Sequence, residues 1–574
     1  MPVVNITSDY KIDQIENHFR ISAGPGAGKT YWLSEHIKNV LHNSKRLYKS
    51  RKIACITYTN IGVETILKRL GASNTNVEVA TIHSFLYSHI VKPYASFIAE
   101  EYDLDVSKMD GHDDVILSGY KFLDEWKAKT GQKRIRTNED LVKALGNLMW
   151  KFNATNVLVL KPRKYALKVD GYALKNNSYL EYKKMAWAKG VVHHDDVLFL
   201  SYQIIMKFPF VLKVLRAKFP YYFIDEFQDS SPIQVKILKL IGQEETIVGI
   251  IGDRAQSIYG FQGAEPSQFD SFNLHDIKDY AILPNRRSTN KIIGLLNNIR
   301  ENDIVQTEHR NIEGDRPIIL IGDMEKALRK AKEICHQEVV FSLSRDNITS
   351  NAMKREINGT NLDSKLFEKL LVVDKASSSN KYRSRLVASC IKSIELAKQG
   401  KYKESISTLE KEYKYIKDIT ERRKSVLSKI STLMCKYEDY KNKTLYDFFT
   451  IVKSDINSEI SQLSNRGAGK AFYEAHTYEQ MALCVTIPED LSQHKTIHKS
   501  KGDEFKNVLL ILKKKTNLNF LINPDIFATN NEGEEQRIYY VAVSRAEDRL
   551  FISIPEMESE DRTQLDAVFD IVDV

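Results

Sequence analysis

The sequence predicts an α/β protein built from two parallel-sheet domains, each interrupted by a mainly helical insertion. Over the first ninety residues short β-rich runs (RKIACITYT, VEVATIHSF) alternate with helical ones (TYWLSEHIKNVLHN, NIGVETILKRL), the pattern of βαβ units. From about 90 to 195 the pattern turns helical and basic, and strand signals then return with YYFIDEF and TIVGIIGD, so the helical stretch reads as an insertion. A second set of strand runs, PIILIG, EVVFSLSR, NVLLILKK and RLFISI, is broken by a lysine-rich helical stretch. The expected domains are therefore 1–90 with 196–280, carrying the insertion 91–195, and 281–355 with 486–574, carrying the insertion 356–485.

Composition narrows the class. The chain has 574 residues, 42% apolar and 28% charged, which excludes a disordered, collagen-like or disulfide-scaffold protein. Five scattered cysteines (Cys55, Cys335, Cys390, Cys435, Cys484), with no CxxC and no Cys/His cluster, argue against structural zinc and iron–sulfur clusters. No run of eighteen apolar residues and no basic-then-apolar leader occurs, so a cytoplasmic protein without membrane contact is expected. The net charge of +9 is unevenly placed: 121–190 carries about +10 and 361–450 about +8, leaving the rest acidic. In the first basic segment Trp126, Trp150, Tyr165, Tyr172, Tyr179, Tyr182 and Trp187 lie among the lysines and arginines. Two readings stand open for them, a surface for phosphates and stacked bases, or a helical core under a solvated face.

The strongest local signal is AGPGAGKT, residues 23–30, which follows a short strand candidate and opens an amphipathic helix. That is the context of a phosphate-binding loop. Gly24, Gly26, Ala27 and Gly28 let backbone N–H groups turn toward phosphates, Lys29 meets the β and γ oxygens, and Thr30 offers a hydroxyl to Mg²⁺ at a helix N-terminus. Ala23 stands where the strict pattern has glycine. In YYFIDEFQD an apolar strand delivers Asp225 to hold the metal and Glu226 to orient water, the second half of a nucleotide-hydrolysing site. Asp195 and Asp196, in HHDDVLFL, read as a helix start favoured by the dipole, and His193 and His194 as surface residues.

An ordered series then completes the pattern: AGPGAGKT (23–30), TYTN (57–60), TIHSF (81–85), DEFQD (225–229), GDRAQSIYGFQGA (252–264), LPNRRS (283–288), TIHKSKGDEF (496–505) and YYVAVSRA (539–546). Together these resemble the UvrD/Rep family of superfamily 1 DNA helicases. The resemblance runs from about residue 22 to 551, apart from the insertions. It implies two RecA-like P-loop NTPase domains with ATP and Mg²⁺ between them. By resemblance Gln256 senses the γ-phosphate, and Arg287 and Arg545 act as cis arginine fingers from the second domain. Gly502 and Glu504 look like nucleotide contacts from that domain. Thr59, Asn60, His83, Tyr259, Phe261, Thr496 and His498 match positions on the family's single-stranded DNA track, where aromatic rings accept any base.

Four departures stand out. Tyr31 and Arg286 exchange the residue types that sandwich adenine in the family, and an aromatic–guanidinium sandwich with swapped faces is expected. Gln262 replaces an arginine before GA, so DNA coupling is expected to weaken. Gln14 is the sole candidate for the upstream adenine-reading glutamine, so relaxed nucleotide choice is expected. Asp503 stands where leucine is usual. The short second insertion, and a chain ending 29 residues beyond Arg545, look like the helicase subunit of Gabija-type anti-phage systems, which works with an OLD-family (topoisomerase-primase type) nuclease. A stand-alone repair helicase is the rival. The expected activity is 3′-to-5′ movement on single-stranded DNA, with single strands and duplex junctions as substrates. The alternative is a DNA-activated ATPase that senses ends or single strands and licenses a nuclease while unwinding little.

Overall fold

The computed structural model describes residues 3–574 except 49, 164, 167, 302, 358–361, 375, 376, 466 and 489–491. Contacts divide the chain into two units, Met1–Glu313 with Asn523–Ser544, and Gly314–Ile522 with Arg545–Val574.

The first unit is organised by a seven-stranded parallel sheet. Its strands are β1 (Val4–Ile6), β2 (Phe19–Ala23), β3 (Ile53–Thr57), β4 (Val77–Thr81), β5 (Tyr221–Ile224), β6 (Ile247–Gly252) and β7 (Lys278–Ile282), in the order β1-β7-β2-β6-β5-β3-β4. Every residue of β3, β5 and β6 is buried, which explains why these strands read as unbroken apolar runs rather than alternating ones. Gly249 in β6 leaves the room that Phe19 fills, since a Cβ there would lie 2.1 Å from the Phe19 ring. Helix α1 (Lys29–Asn43) covers one face, with Trp32, Leu33, Ile37 and Val40 buried, and α2 (Asn60–Leu70) is capped by the Thr59 hydroxyl, which accepts from Gly62 N.

The first insertion is mainly helical, with two small antiparallel hairpins, Leu148–Phe152 with Leu158–Pro162 and Lys168–Val169 with Tyr172–Ala173. Its aromatics resolve the open question in favour of a core. Of the seven aromatics among its basic residues, Trp126, Trp150, Tyr179, Tyr182 and Trp187 are buried, and Tyr165 and Tyr172 are exposed. Trp150 and Phe199 stack at 3.7 Å, and both the Trp150 and Trp187 indoles donate to the buried Asp196 carboxylate at 3.0 Å. Lys183 pairs with the same carboxylate at 2.8 Å. Asp195 and Asp196 do sit in the first turn of α3 (His194–Lys207), but His193 is a buried N-cap residue and not a surface one, because Asp196 draws its ring and backbone N–H inward.

The second unit holds a six-stranded parallel sheet of β8 (Ile318–Ile321), β9 (Phe341–Ser344), β10 (His494–Thr496), β11 (Phe505–Ile511), β12 (Ala546–Ile554) and β13 (Asp570–Asp573), ordered β10-β9-β11-β12-β8-β13. Its helical insertion has a separate core of Leu386, Ile391, Tyr440, Phe448 and Tyr478, locked by a buried Arg383–Asp374 pair at 2.6 Å. The fold class read from the sequence, α/β with two large parallel sheets, is the one observed.

The division between units differs from the sequence-based one. Residues 281–313 and 523–544, expected in the second domain, belong to the first unit. The chain beyond β7 turns back over the phosphate loop, where Arg286 N donates to Gly26 O and Gln306 Nε2 to Pro25 O. The helix α5 (Asn531–Val543) anchors on the first unit through Arg537 Nε to Ser257 O at 2.8 Å. Among the described residues no single helix is long and apolar enough to cross a membrane.

His36 is the least satisfied group of this core. It stacks on Trp32 at 4.8 Å and meets Phe19 edge-on, and neither ring nitrogen has a hydrogen-bond partner. Burial pushes its pKa down to about 3. Between that value and the ordinary 6.5 the unfolded chain takes up a proton that the folded chain refuses, so stability falls as pH falls below 6.5. His36→Phe is expected to raise the melting temperature, and its advantage should grow by up to about 1.4 kcal/mol per pH unit on acidification. Thermal melts from pH 7.5 to 5 test this, and a pH-independent difference would contradict it.

Candidate nucleotide site and nucleic-acid track

Strands β2, β6 and β5 lie side by side and end at the same edge of the sheet, where parallel sheets gather their ligands. β2 runs into the phosphate loop, β5 into Asp225, and β6 into Asp253. The loop itself is shaped by Gly26 at φ 69° and Gly28 at φ 82°, left-handed positions that favour glycine. A Cβ on Gly26 would meet Asn285 Oδ1 at 2.5 Å, and one on Gly24 the Gln306 side chain at 2.5 Å. Ala27 is buried beneath the loop.

Lys29 is buried, and its ammonium donates to Ala23 O at 3.2 Å and Gly24 O at 3.3 Å. Burial lowers its pKa, opposed by the charges of Glu226, Asp253 and Asp225. Thr30 Oγ1 donates to Asp225 Oδ2 at 3.0 Å. The Asp225 pKa is raised by burial and next by the neighbouring charge of Glu226, while Lys29 and Thr30 pull it down. Glu226 adopts φ 54°, a left-handed conformation that non-glycine residues adopt chiefly under local constraint. Gln228 donates to its carboxylate and accepts from Asp253 N at 3.0 Å, bridging the two acidic strand ends. Gln256 Nε2 donates to Asp253 Oδ2 at 2.7 Å.

The segment after β7 supplies a roof. Asn285 Oδ1 accepts from Arg287 N at 2.9 Å and Ser288 N at 3.1 Å, and Arg287 Nη1 donates to Ser544 O at 2.7 Å. Arg287 thus belongs to the first unit rather than the second, and its charge lies close enough to depress the Lys29 pKa. Tyr31 is exposed on α1, while the Arg286 guanidinium pairs with Asp9. Gln14 is exposed and accepts from Asn17 at 2.8 Å.

Of the residues expected on the nucleic-acid track of the first unit, Tyr259 and Phe261 form an aromatic group with Tyr58. Tyr259 stacks on Tyr58 at 5.2 Å and contacts Phe261 at 5.9 Å, and Phe261 is exposed. Gln262, the departure from arginine, accepts from the Tyr58 hydroxyl at 3.0 Å. A neutral hydrogen bond therefore ties TYTN to the SIYGFQGA loop. Thr59 and Asn60 are exposed at the start of α2. His83 is half-buried beside His112 and His194, whose Nδ1 atoms lie 2.5 Å apart. Burial first, then those two neighbours, lower its pKa to about 4, so His83 is a neutral ring at pH 7.

Comparison with known proteins decides the family. Residues 7–276 match the UvrD/REP helicase N-terminal domain and 375–557 the UvrD-like helicase C-terminal domain. The chain belongs to the UvrD/Rep-like helicases. It is 24% identical over 640 residues to the ATP-dependent DNA helicase Rep of Buchnera aphidicola subsp. Schizaphis graminum, covering 96% of this chain and 93% of that one. It is 26% identical over 332 residues to the Gabija protein GajB of Bacillus cereus, covering 50% of this chain and 47% of that protein. It is also 25% identical over 302 residues to the ATP-dependent DNA helicase PcrA of Leuconostoc citreum, covering 50% of this chain and 37% of that one. The chain is by class an ATP-hydrolysing helicase.

In this UvrD/Rep-like chain the second unit carries the remaining motif residues. Thr496 ends β10 and is buried, His498 follows it half-buried, and Gly502, at φ 94°, and Glu504 are exposed. Asp503 ion-pairs with Lys495 at 2.9 Å, and its carbonyl accepts from the buried Arg545 at 3.3 Å. The aspartate that stands where leucine is usual thus has a charged partner, Lys495 in β10. Sequence reasoning missed Asp253, Gln228, Asn285, Gln306 and Arg300. Asp253 and Gln228 stood within quoted motifs, whereas Gln306 and Arg300 carry no motif signal.

Two expectations follow from this geometry. Gly26→Ala must strain a left-handed turn and displace Asn285, so nucleotide affinity should fall about tenfold or more, the equivalent of a 1–2 kcal/mol left-handed penalty, measurable with a fluorescent ATP analogue. In the metal-free protein the raised Asp225 pKa keeps that carboxylate protonated at higher pH than an exposed aspartate, so Mg²⁺ binding should weaken on acidification well above pH of about 4. A Mg²⁺ affinity that falls only at the ordinary aspartate value would contradict the assignment.

Proposed function

We propose that the chain is an ATP-driven translocase that moves 3′ to 5′ on single-stranded DNA and opens duplex junctions. The observation that carries this reading is the convergence of Lys29, Thr30, Asp225, Glu226, Asp253 and Gln256 at one sheet edge of the unit that also presents the Tyr58–Tyr259–Phe261 aromatic group. ATP hydrolysis and strand binding then share one rigid loop, since Gln256 and Tyr259 are three residues apart.

In this reading Lys29 and the loop N–H groups hold the β- and γ-phosphates. The Thr30 hydroxyl and Asp225 carboxylate, both hard oxygen donors, fit Mg²⁺, which usually takes one or two carboxylates with substrate phosphates and water. When bound, that ion neutralises charge on the phosphates. Glu226, oriented by its left-handed backbone and by Gln228, accepts a proton from the attacking water. Gln256 reads the γ-phosphate, Arg287 and Arg545 stabilise transition-state charge, and Tyr31 and Arg286 flank the adenine. Gly502 and Glu504 add nucleotide contacts. On the strand side Tyr259 and Phe261 stack on bases, Thr59 and Asn60 meet the backbone, and Thr496 and His498 continue the track. Neutral His83 serves as a hydrogen-bonding ring rather than a cation.

The alternative, a DNA-activated ATPase that licenses a nuclease, is favoured by one observation: Gln262 makes a neutral bond to Tyr58 where a charge would couple more strongly. The similarity to the Gabija protein GajB supports the Gabija-type reading, in which a nuclease would be the partner.

ATPase assays with and without single-stranded DNA, beside unwinding of 3′- and 5′-tailed duplexes, test the proposal. Strong stimulation with opening of the 3′-tailed substrate alone is expected; stimulation without unwinding would favour the sensor. Lys29→Ala should abolish turnover, Glu226→Gln should bind ATP without hydrolysing it, and Arg545→Ala should slow hydrolysis by about 10³-fold or more. Wild-type turnover in Glu226→Gln would overturn the water-positioning role.

A further inference from the structure

The motif series leaves Arg300 without a role. It follows α4 (Asn290–Ile299), an apolar helix, and its side chain is 1% exposed. Four oxygen atoms of three side chains surround the guanidinium. Nη2 donates to Asp253 Oδ1 at 3.0 Å and Asp303 Oδ2 at 2.5 Å, and Nη1 to the Tyr540 hydroxyl at 3.0 Å and Asp253 Oδ2 at 3.4 Å. Nη1 also lies 3.0 Å from the point where a Cβ on Gly24 would sit, so the group abuts the first turn of the phosphate loop. A buried guanidinium is expensive unless paired, and this one is paired with the buried carboxylate of Asp253.

The reason lies in the surroundings of Lys29. Asp225, Glu226 and Asp253 all attract its ammonium. An ion pair between Lys29 and Asp253 would have to break before phosphate could bind. Instead Lys29 rests on two neutral carbonyls, Ala23 O and Gly24 O, which phosphate oxygens displace readily. Asp253 is occupied elsewhere: both its oxygens face Arg300, and Oδ2 also accepts from Gln256.

We propose that Arg300 is a positioning residue of the nucleotide site, whose guanidinium claims Asp253 so that Lys29 is kept for phosphate and the Asp253–Gln256 pair is held in place. It acts through Asp253 and touches no substrate. The inference rests on the ATPase reading above and adds to it a buried cation that the family motifs do not include.

The test is steady-state ATP hydrolysis by the full chain with saturating single-stranded DNA, comparing wild type, Arg300→Met, Arg300→Lys, Asp253→Asn and the double variant Arg300→Met/Asp253→Asn. Arg300→Met should raise KM for ATP about tenfold or more, because the released carboxylate captures Lys29. Arg300→Lys should recover most of that loss. The double variant should return KM to within roughly threefold of Asp253→Asn alone, the strong coupling expected of two groups in one ion pair. A structural role in packing predicts lower melting temperatures with unchanged KM and no rescue, and that result would overturn the proposal. Should Arg300→Met fail to fold, a double variant that folds and binds ATP supports charge balance, and one that also fails overturns it. A wild-type chain without ATPase activity would refute the proposed function itself, whereas active wild type with an equally active Arg300→Met refutes this inference alone.

Discussion

The first unit is organised around a balance of buried charge. Lys29, Arg287 and Arg300 face Asp225, Glu226 and Asp253 at the edge of a sheet whose central strands are wholly buried. In such a setting each charge is tolerable only because the others are present, since an unpaired buried ion is costlier than any single hydrogen bond can offset. The arrangement also stores what phosphate chemistry needs. A cation resting on neutral carbonyls and the Asp225 carboxylate, proposed to hold Mg²⁺ and already hydrogen-bonded to a hydroxyl, require little reorganisation when a polyanion arrives.

Topology delivers these groups without long loops. The order β2-β6-β5 places the ends of three parallel strands next to one another, so residues more than two hundred positions apart in sequence meet at one edge. The segment from 284 to 306 then returns over the loop, and its contacts are made by backbone and amide groups as much as by charge: Arg286 N to Gly26 O, Gln306 Nε2 to Pro25 O, Asn285 to Arg287 and Ser288. Glycine at 24 and 26 is required from both sides, by the turn that wraps phosphate and by the side chains packed against it.

The first insertion shows the opposite balance. Basic residues dominate its composition, but its tryptophans serve a core in which Asp196 is the polar centre, taking two indole N–H groups, Lys183 and His193. A tryptophan needs a hydrogen-bond partner when buried, and one carboxylate satisfies two of them. The lysines and arginines are left mostly on the outside, where they shape the field around the chain rather than a base-stacking floor.

The residues proposed to touch phosphate, metal and strand were legible because that chemistry demands particular side chains at fixed spacing: glycines and GKT before a helix, an apolar strand ending in Asp225 and Glu226, aromatics in SIYGFQGA. The alternation of apolar runs likewise determined the fold class and the main strands. Four short strands, the edge strands β1, β10 and β13 and the inner strand β7, are not legible in the sequence, since three to five residues carry little periodic signal. What only the tertiary structure decided is which groups share an environment. Arg300 in NNIREND is indistinguishable from a surface arginine until the fold buries it against Asp253, and Gln306 has no reason to be singled out until it reaches Pro25. Arg287 joins the first unit because the chain beyond β7 folds back over the phosphate loop, and Trp150 and Trp187 of the basic insertion turn inward with Asp196 as the partner of their N–H groups. Local sequence specifies the groups that must meet a ligand, while long-range packing alone specifies which of them balance one another's charge.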